Sequence, residues 1–224
     1  MKANDIQVIL RQEQEADYKQ TEFVTREAFW NYYTPKCYEH YLLHIMRNSF
    51  GFVKELDFVA EVGGNVVGNV VYTKSFILAD NGNKYEVLTL GPICVLPTFW
   101  CKGIARMLIE HTKTLAKQMG FRAIVLCGDP DIYSRMGFVA SEDFYIRTAD
   151  NKYFKALQVM ELYDNALKGL QGRYVENEIY NIDIAAAEIF DKQFPFKPAI
   201  VGTPSQKRFA EILSMQKSSN ETIL

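Results

Sequence analysis

The sequence predicts an α/β chain of the mixed (α+β) kind: a mostly antiparallel sheet flanked by helices, followed by a small C-terminal extension. Three observations predict it. Residues 57–95 hold three β-branched and aromatic runs separated by the turn signals Gly63-Gly64-Asn65 and Asn81-Gly82-Asn83, the pattern of consecutive hairpins. Residues 103–119 then switch to apolar side chains three and four apart, the period of a helix. Residues 121–127 return to a short apolar run of the buried-strand type. Such an order departs from the strict strand–helix alternation of a doubly wound sheet.

Each element has its own warrant. Ile6-Gln7-Val8-Ile9-Leu10-Arg11 reads as a first strand. Residues 13–30 set Ala16, Phe23, Val24, Ala28 and Phe29 among charges, a loosely amphipathic helix ended by the aromatic Trp30-Asn31-Tyr32-Tyr33 run and Pro35. A second helix is expected over residues 36–47, with Tyr38, Tyr41, Leu42 and Ile45 on one side. The hairpin strands cover residues 57–62, 66–78 and 85–95. In the helix of residues 103–119, Ile104, Met107, Leu108, His111, Leu115 and Met119 share a face and Gly120 stops it. A short helix over residues 130–136 opens on Pro130. Residues 138–145 and 154–162 read as two closing strands joined through Asp150-Asn151. Residues 1–164 are therefore expected to form one domain and residues 165–224 an extension. Within the extension, residues 173–181 suggest a strand and residues 184–192 a short helix. Phe194-Pro195-Phe196-Lys197-Pro198 suggests an extended linker, and residues 218–224 a frayed end.

Composition narrows the function classes. The chain has 224 residues, 48% of them hydrophobic and 23% charged, which fits an ordinary core-forming protein and excludes a disordered or fibrous one. Lys plus Arg number 25 against 27 Asp plus Glu, for a net charge of −2. No half is strongly basic, so nucleic acid is not an expected partner. The N-terminus lacks the apolar run of a signal peptide, and no apolar stretch reaches the ~20 residues that span a bilayer. A cytoplasmic protein without a membrane partner, monomeric or homodimeric, is the expectation. Cys37, Cys94, Cys101 and Cys127 form no C-x-x-C pair and no zinc spacing; three lie in or beside apolar runs and read as buried free thiols.

The most informative stretch is Leu90-Gly91-Pro92-Ile93-Cys94-Val95-Leu96-Pro97-Thr98-Phe99-Trp100-Cys101-Lys102-Gly103-Ile104-Ala105. A strand enters a tight turn, and the turn opens an amphipathic helix. The first amides of a helix lack partners and sit at the positive end of the macrodipole. Gly103 lets a diphosphate approach that backbone, and Lys102 adds a flexible cation. Gly91-Pro92 is unusual for a central strand, since Pro92 has no N–H for the ladder. A bulge there would bend the strand and part it from the strand of residues 121–127. The backbone groups exposed at Ile93, Cys94 and Val95 could then pair with the amides of an extended ligand such as pantetheine; a bulge with no ligand is the alternative.

These residues, with the element order over residues 6–162, resemble the acetyl-CoA-binding core of the GCN5-related N-acetyltransferase (GNAT) superfamily, whose signature is Gln/Arg-x-x-Gly-x-Gly/Ala. The aligned positions are Trp100, Gly103 and Ala105; Trp100 stands where Gln or Arg is usual and Cys101 where Gly is common. The resemblance implies acetyl-CoA as cosubstrate, its pyrophosphate on the amides of Cys101, Lys102, Gly103, Ile104, Ala105 and Arg106, and its pantetheine beside Ile93, Cys94 and Val95. A second run, Gly128-Asp129-Pro130-Asp131-Ile132-Tyr133-Ser134-Arg135-Met136-Gly137-Phe138, places Tyr133 where the superfamily commonly has a Tyr near the CoA sulfur. The Gly-Asp-Pro opening, and Phe190-Asp191-Lys192-Gln193-Phe194-Pro195 in the tail, are similar to a bacterial subgroup of predicted acetyltransferases.

The implied chemistry is transfer of an acetyl group to an amine by direct attack on the thioester. Tyr133, a phenol of ordinary pKa ~10, would protonate the departing thiolate, with the N–H of Val95 or Cys94 holding the oxyanion. A base should deprotonate the amine. Some members carry a Glu at the position of Thr89, which cannot serve; Glu86, Asp57 and Glu61 are the nearby candidates. Of the histidines, His40 and His44 lie four apart on one helix but have no evident third ligand, so no metal is expected, and His111 reads as a helix-face residue. Residues 29–33 could line an acceptor pocket or simply pack. The alternative to an enzyme is a non-catalytic acyl-CoA-binding module.

Overall fold

A computed structural model describes residues 6–218. Its main sheet begins with β1 (Ile9–Gln12), followed by β2 (Phe58–Val62), β3 (Asn65–Ala79), β4 (Lys84–Val95) and β5 (Ala123–Cys127), each beside the next. On the far side of β5 lies β9 (Leu157–Glu161), and beyond it β6 (Val139–Ala140). Only the β4–β5 contact along this path is parallel. The hairpins β2–β3 and β3–β4 follow from their turns, with Gly63 and Gly64 at φ +58° and +80°. The mixed, mostly antiparallel sheet expected from the sequence is the one present.

Side chains alternate across β5. Ile124 and Leu126 join Leu88 and Leu90 of β4 in a core closed by α3 (Ile104–Gln118) through Ile104, Leu108 and Ile109. Each of these three helix residues is at most 1% exposed, and burial of one such side chain stabilises by roughly 1.5–3 kcal/mol. The Tyr72 hydroxyl, sealed in that core, meets Thr112 Oγ1 at 2.7 Å, so its burial leaves no polar atom stranded. Ala123 and Val125 face the other way, into a second core with Val87, Ile77, Val159 and Tyr174. Over the opposite end of that face lies α1 (Tyr18–Phe29), with Val24 and Ala28 on Val59, Val66 and Cys94.

The tail returns to the sheet. The strand β10 (Gly172–Val175) pairs with β3 from Ala79 to Phe76, and the short β7 (Ile146–Arg147) pairs with β10. After α5 (Ile184–Asp191), whose Asp191 binds Arg26 of α1 at 2.6 Å, residues 192–203 run without regular structure to α6 (Pro204–Ser214). No helix among the described residues is long and apolar enough to cross a membrane.

Several boundaries differ from the sequence expectation. The first strand starts at Ile9, and the first helix at Tyr18 after a 3-10 turn, Glu15–Asp17. The second helix, α2 (Glu39–Met46), starts three residues later than expected, because Lys36 takes φ +65°, incompatible with a helix. The strand expected over 138–145 is cut to β6 by a 3-10 turn, Ser141–Phe144, that ends on Tyr145 at φ +55°. The strand expected over 154–162 divides: β8 (Lys152–Phe154) leaves to pair with β11 (Gln216–Ser218), while β9 stays beside β5. The strand expected over 173–181 ends at Val175, because the Asn177 side chain accepts the Ile179 N–H and starts a 3-10 turn. The frayed end expected from Ser218 onward lies, past that residue, outside the described residues.

Candidate functional site

The central feature follows from one irregularity in β4. Tyr72 pairs with Leu90 and Val70 with Ile93, so Gly91 and Pro92 together face Val71. That is a bulge, two residues against one, at a place where Pro92 has no N–H to donate. Upstream, β4 pairs with β5 at Leu88–Ile124 and Thr89–Val125 only. Downstream the strands part, and a cleft of about 300 Å³ opens between them. Ile93 and the bulge form one wall; Leu126, Cys127 and Gly128 form the other. The Gly91 carbonyl is not left bare, since the Tyr180 hydroxyl donates to it at 2.8 Å.

Tyr133 stands in this cleft because of Gly128. A Cβ at position 128 would lie 2.3 Å from Tyr133 Cε2, so only glycine lets the ring rest on the turn. The ring belongs to α4 (Pro130–Tyr133), capped by the Asp129 side chain on the Asp131 N–H and set by Pro130 at the first position. An edge contact with Phe138 at 5.9 Å backs it. Burial pushes the Tyr133 phenol well above its ordinary pKa, so it carries its proton at neutral pH. Among the described residues its hydroxyl has no hydrogen-bond partner. Cys127, the thiol on the cleft, is pushed up to about 12 by burial, with the Glu176 carboxylate adding to it. At neutral pH it is a thiol and a poor nucleophile.

The corner before α3 has the form read from the sequence. Cys101 lies at φ +60° and Gly103, the N-cap, at φ +81°, with no side chain capping the helix start. The first intrahelical bond in this turn is Met107 N–H to Gly103 O, 3.0 Å, so the amides of Ile104, Ala105 and Arg106 precede the ladder. Lys102 Nζ rests 4.8 Å over the Phe99 ring, and Arg106 donates to the Arg135 carbonyl at 2.5 Å, tying α3 to the end of the Tyr133 turn. The Trp100 indole N–H donates to the Val95 carbonyl at 2.7 Å, and its ring meets Tyr32 edge-on at 5.7 Å. Trp100 therefore occupies one strand carbonyl of the parted edge. Cys94 points the other way, its Sγ 3.3 Å from Thr25 Oγ1 under α1, so only its backbone faces the strand gap. Ile104 is core; Ala105 is half-buried.

The model of the acetyltransferase (GNAT) family matches residues 22–138, more than half of the chain. The chain belongs to that family. An uncharacterized N-acetyltransferase, YhbS, of Escherichia coli K12 is 28% identical over 140 residues, 62% of this chain and 81% of the relative. The crystal structure of YhbS from Escherichia coli in complex with CoA superposes with a TM-score of 0.70 at 25% identity, over 81% of this chain and 96% of that one. A GNAT acetyltransferase from Brucella melitensis, solved in complex with acetyl-CoA, shares the fold at a TM-score of 0.61 and 24% identity, over 78% of this chain and 98% of that one.

In this GNAT chain the carboxylates singled out from sequence lie away from the cleft. Glu86 pairs with Lys74 at 3.3 Å on an exposed face, and Glu61 with Arg11 at 3.0 Å. Asp57 is 4% exposed and accepts from Asn69 at 3.0 Å. Thr89 is locked in a hydroxyl chain with Ser75 and Tyr174, the latter at 2.6 Å. The histidines are also engaged: His40 Nε2 lies 3.0 Å from Asp191 Oδ1 and burial lowers it to about 4, His44 meets Glu22 at 2.9 Å, and His111 packs on Phe58. Two of the four cysteines, Cys37 and Cys94, are buried; Cys101 and Cys127 are accessible, because one is on the open corner and the other faces the cleft. The carboxylates that do line the cleft are Glu39 at the start of α2, Glu176 after β10, and Asp129.

The tail supplies part of the wall. Phe209, Ile212 and Leu213 of α6 line the cleft, and Phe209 packs on Tyr33 at 4.9 Å. Phe29 and Tyr33 of the aromatic run line it as well; Trp30 instead donates to the Pro198 carbonyl at 3.0 Å. Sequence reading passed over α6, although its signal is present: Thr203 and Gln206 form a capping box around Pro204. Arg208 fastens this helix to Asp129 at 3.0 and 3.1 Å.

Proposed function

We propose that this GNAT chain is an acetyl-CoA-dependent N-acetyltransferase acting on an amine by direct attack. The observation that carries this reading is the parting of β4 from β5 at the Gly91–Pro92 bulge, beside a half-buried, protonated Tyr133. YhbS, of the same family, was crystallised with CoA. The backbone edge of Ile93, Cys94 and Val95 receives the pantetheine arm, and the amides from Cys101 to Arg106 hold the diphosphate, where the dipole of α3 favours negative charge. The thioester supplies the acetyl group: a C–N bond to the neutral amine forms, the C–S bond breaks, and the proton shed by the nitrogen passes to solvent, from which the Tyr133 phenol is restored. Tyr133, protonated at neutral pH, donates a hydrogen bond to the leaving sulfur and gives up its phenolic proton as the C–S bond breaks.

The first test is thermal. Acetyl-CoA at 100 times its Kd should stabilise the protein by about 2.7 kcal/mol, read as a raised melting temperature. No shift at millimolar acetyl-CoA overturns the reading. The second is kinetic. Tyr133→Phe should lower kcat by about 100-fold or more while leaving the acetyl-CoA Kd within a few-fold; an unaltered kcat removes Tyr133 from the chemistry.

A further inference from the structure

The charge balance of the cleft is one-sided. Its lining contains three carboxylates and no Lys, Arg or His. One of the three is answered from within the chain: Asp129 accepts two hydrogen bonds from Arg208 and caps α4, and its carboxyl is held below the ordinary range. The other two are not. Glu39 accepts the Tyr38 N–H at 3.0 Å and meets no basic side chain among the described residues. Glu176 meets none either; its neighbours are Cys127, Tyr174 and Tyr180. Burial raises both carboxyls above their ordinary pKa. Glu39 is half-buried and Glu176 is exposed at the cleft, so both keep water in the free protein, and a ligand that displaces this water must itself bring the positive charge they lack.

The rest of the lining says what kind of cation. Phe29, Tyr33, Phe154, Tyr174, Tyr180 and Phe209 contribute aromatic surface, and Leu42, Ile212 and Leu213 add aliphatic surface. Aromatic faces attract a desolvated ammonium, while the apolar walls give a hydrocarbon body its place. An acceptor carrying its own carboxylate or phosphate would set that group against Glu39 and Glu176 with no cation to answer it. A volume of about 300 Å³, shared with the thiol end of the cosubstrate, excludes large polycations. Tyr133, whose hydroxyl has no protein partner among the described residues, lines the same space.

We infer that the acceptor is a small hydrophobic monoamine without an acidic group, its ammonium held by Glu39 and Glu176 and its aromatic or branched-alkyl body by the α1, α2 and α6 walls. The inference rests on the acetyltransferase reading above and names the acceptor class for that site.

The probes are phenethylamine, phenylalanine (the same body with a carboxylate added), spermidine and a lysine-containing peptide. The full chain is saturated with acetyl-CoA, and free thiol is followed. Phenethylamine should exceed phenylalanine in kcat/KM by at least ~100-fold, the size of a like-charge clash of several kcal/mol. Glu39→Gln and Glu176→Gln should each raise the phenethylamine KM by about tenfold and narrow its preference over phenylalanine. In both variants the acetyl-CoA thermal shift should persist, which shows that they fold. Binding gives a readout independent of turnover: phenethylamine should add a second thermal shift to the CoA-loaded protein, and phenylalanine should not. Equal use of phenylalanine, a preference for spermidine or the peptide, no phenethylamine binding, or unaltered KM in both variants overturns the inference. Those results with acetyl-CoA binding intact defeat the acceptor assignment alone; loss of acetyl-CoA binding in the unaltered protein defeats the underlying reading with it.

Discussion

Two groups of carboxylates in this molecule are treated in opposite ways, one buried and one lining the cleft. At the junction of α1, α2 and β2, Glu13 and Glu22 converge on Arg47, which is 4% exposed and donates to them at 2.7–2.9 Å. Thr21 and His44 complete their hydrogen bonds, Tyr18 lies under the guanidinium at 4.0 Å, and Asn69 covers Asp57. In the cleft, Glu39 and Glu176 have no such escort. The contrast separates charge used for structure from charge kept for a ligand. Where the chain supplies the countercharge, the burial is internal architecture; where it supplies none, the charge is left to water or to a ligand.

The largest expected effect breaks the satisfied group. Arg47→Met should cost about 3–5 kcal/mol in denaturant unfolding, because Glu13 and Glu22 would then be buried without a cation. A loss below 1 kcal/mol would mean that water already reaches the cluster, and the contrast with the cleft would fail.

A smaller effect concerns Asp57. Burial foremost, then its hydrogen bond to Glu13, raises its pKa above the ordinary range. The folded state therefore retains a proton that the unfolded chain releases above pH ~4, and stability falls as pH rises from there toward the raised pKa, with a limiting slope of about 1.4 kcal/mol per pH unit for one proton. Asp57→Asn mimics the protonated form, accepting from Asn69 and donating to Glu13. It should flatten that decline in melting temperature across pH 5–8. An unflattened profile would place the proton elsewhere.

The smallest effect sharpens the other side. Glu39→Gln relieves a partly desolvated carboxylate that only backbone N–H groups answer, so the ligand-free protein should gain up to ~1 kcal/mol, growing as pH rises above the ordinary glutamate range. Glu22→Gln, by contrast, should lose stability, since Arg47 and His44 would lose an anion. Equal signs for the two would dissolve the distinction.

Gly128→Ala tests the geometry that places the acid. The new methyl would displace the Tyr133 ring, so kcat should fall toward the Tyr133→Phe level with the acetyl-CoA Kd nearly preserved.

Local segments were legible because their signals are local. The alternation in the three hairpin strands, the apolar stripe of α3, the Gly-containing corner and the Gly128–Tyr133 turn each combine residues within one short run. The boundaries that moved were decided by backbone states at single residues, such as Lys36 and Tyr145 at positive φ, which composition does not announce. The candidate bases read from the sequence lie outside the cleft lining for another reason. Asp57, Glu61 and Glu86 are near the site in sequence, but strand alternation and the positions of Arg11 and Lys74 carry them elsewhere.

By itself, the sequence pointed to an irregular β4 at Gly91-Pro92 and to a helix with open amides after it, both matters of bond geometry and spacing inside one segment, and the family resemblance singled out Tyr133. Only the tertiary structure decided which charges share the cleft. Glu39, Glu176 and the α6 wall come from distant parts of the chain and meet because β10 returns to β3 and Arg208 reaches Asp129. A charge left unanswered is a property of the whole surroundings, and those exist only once the chain has closed around them.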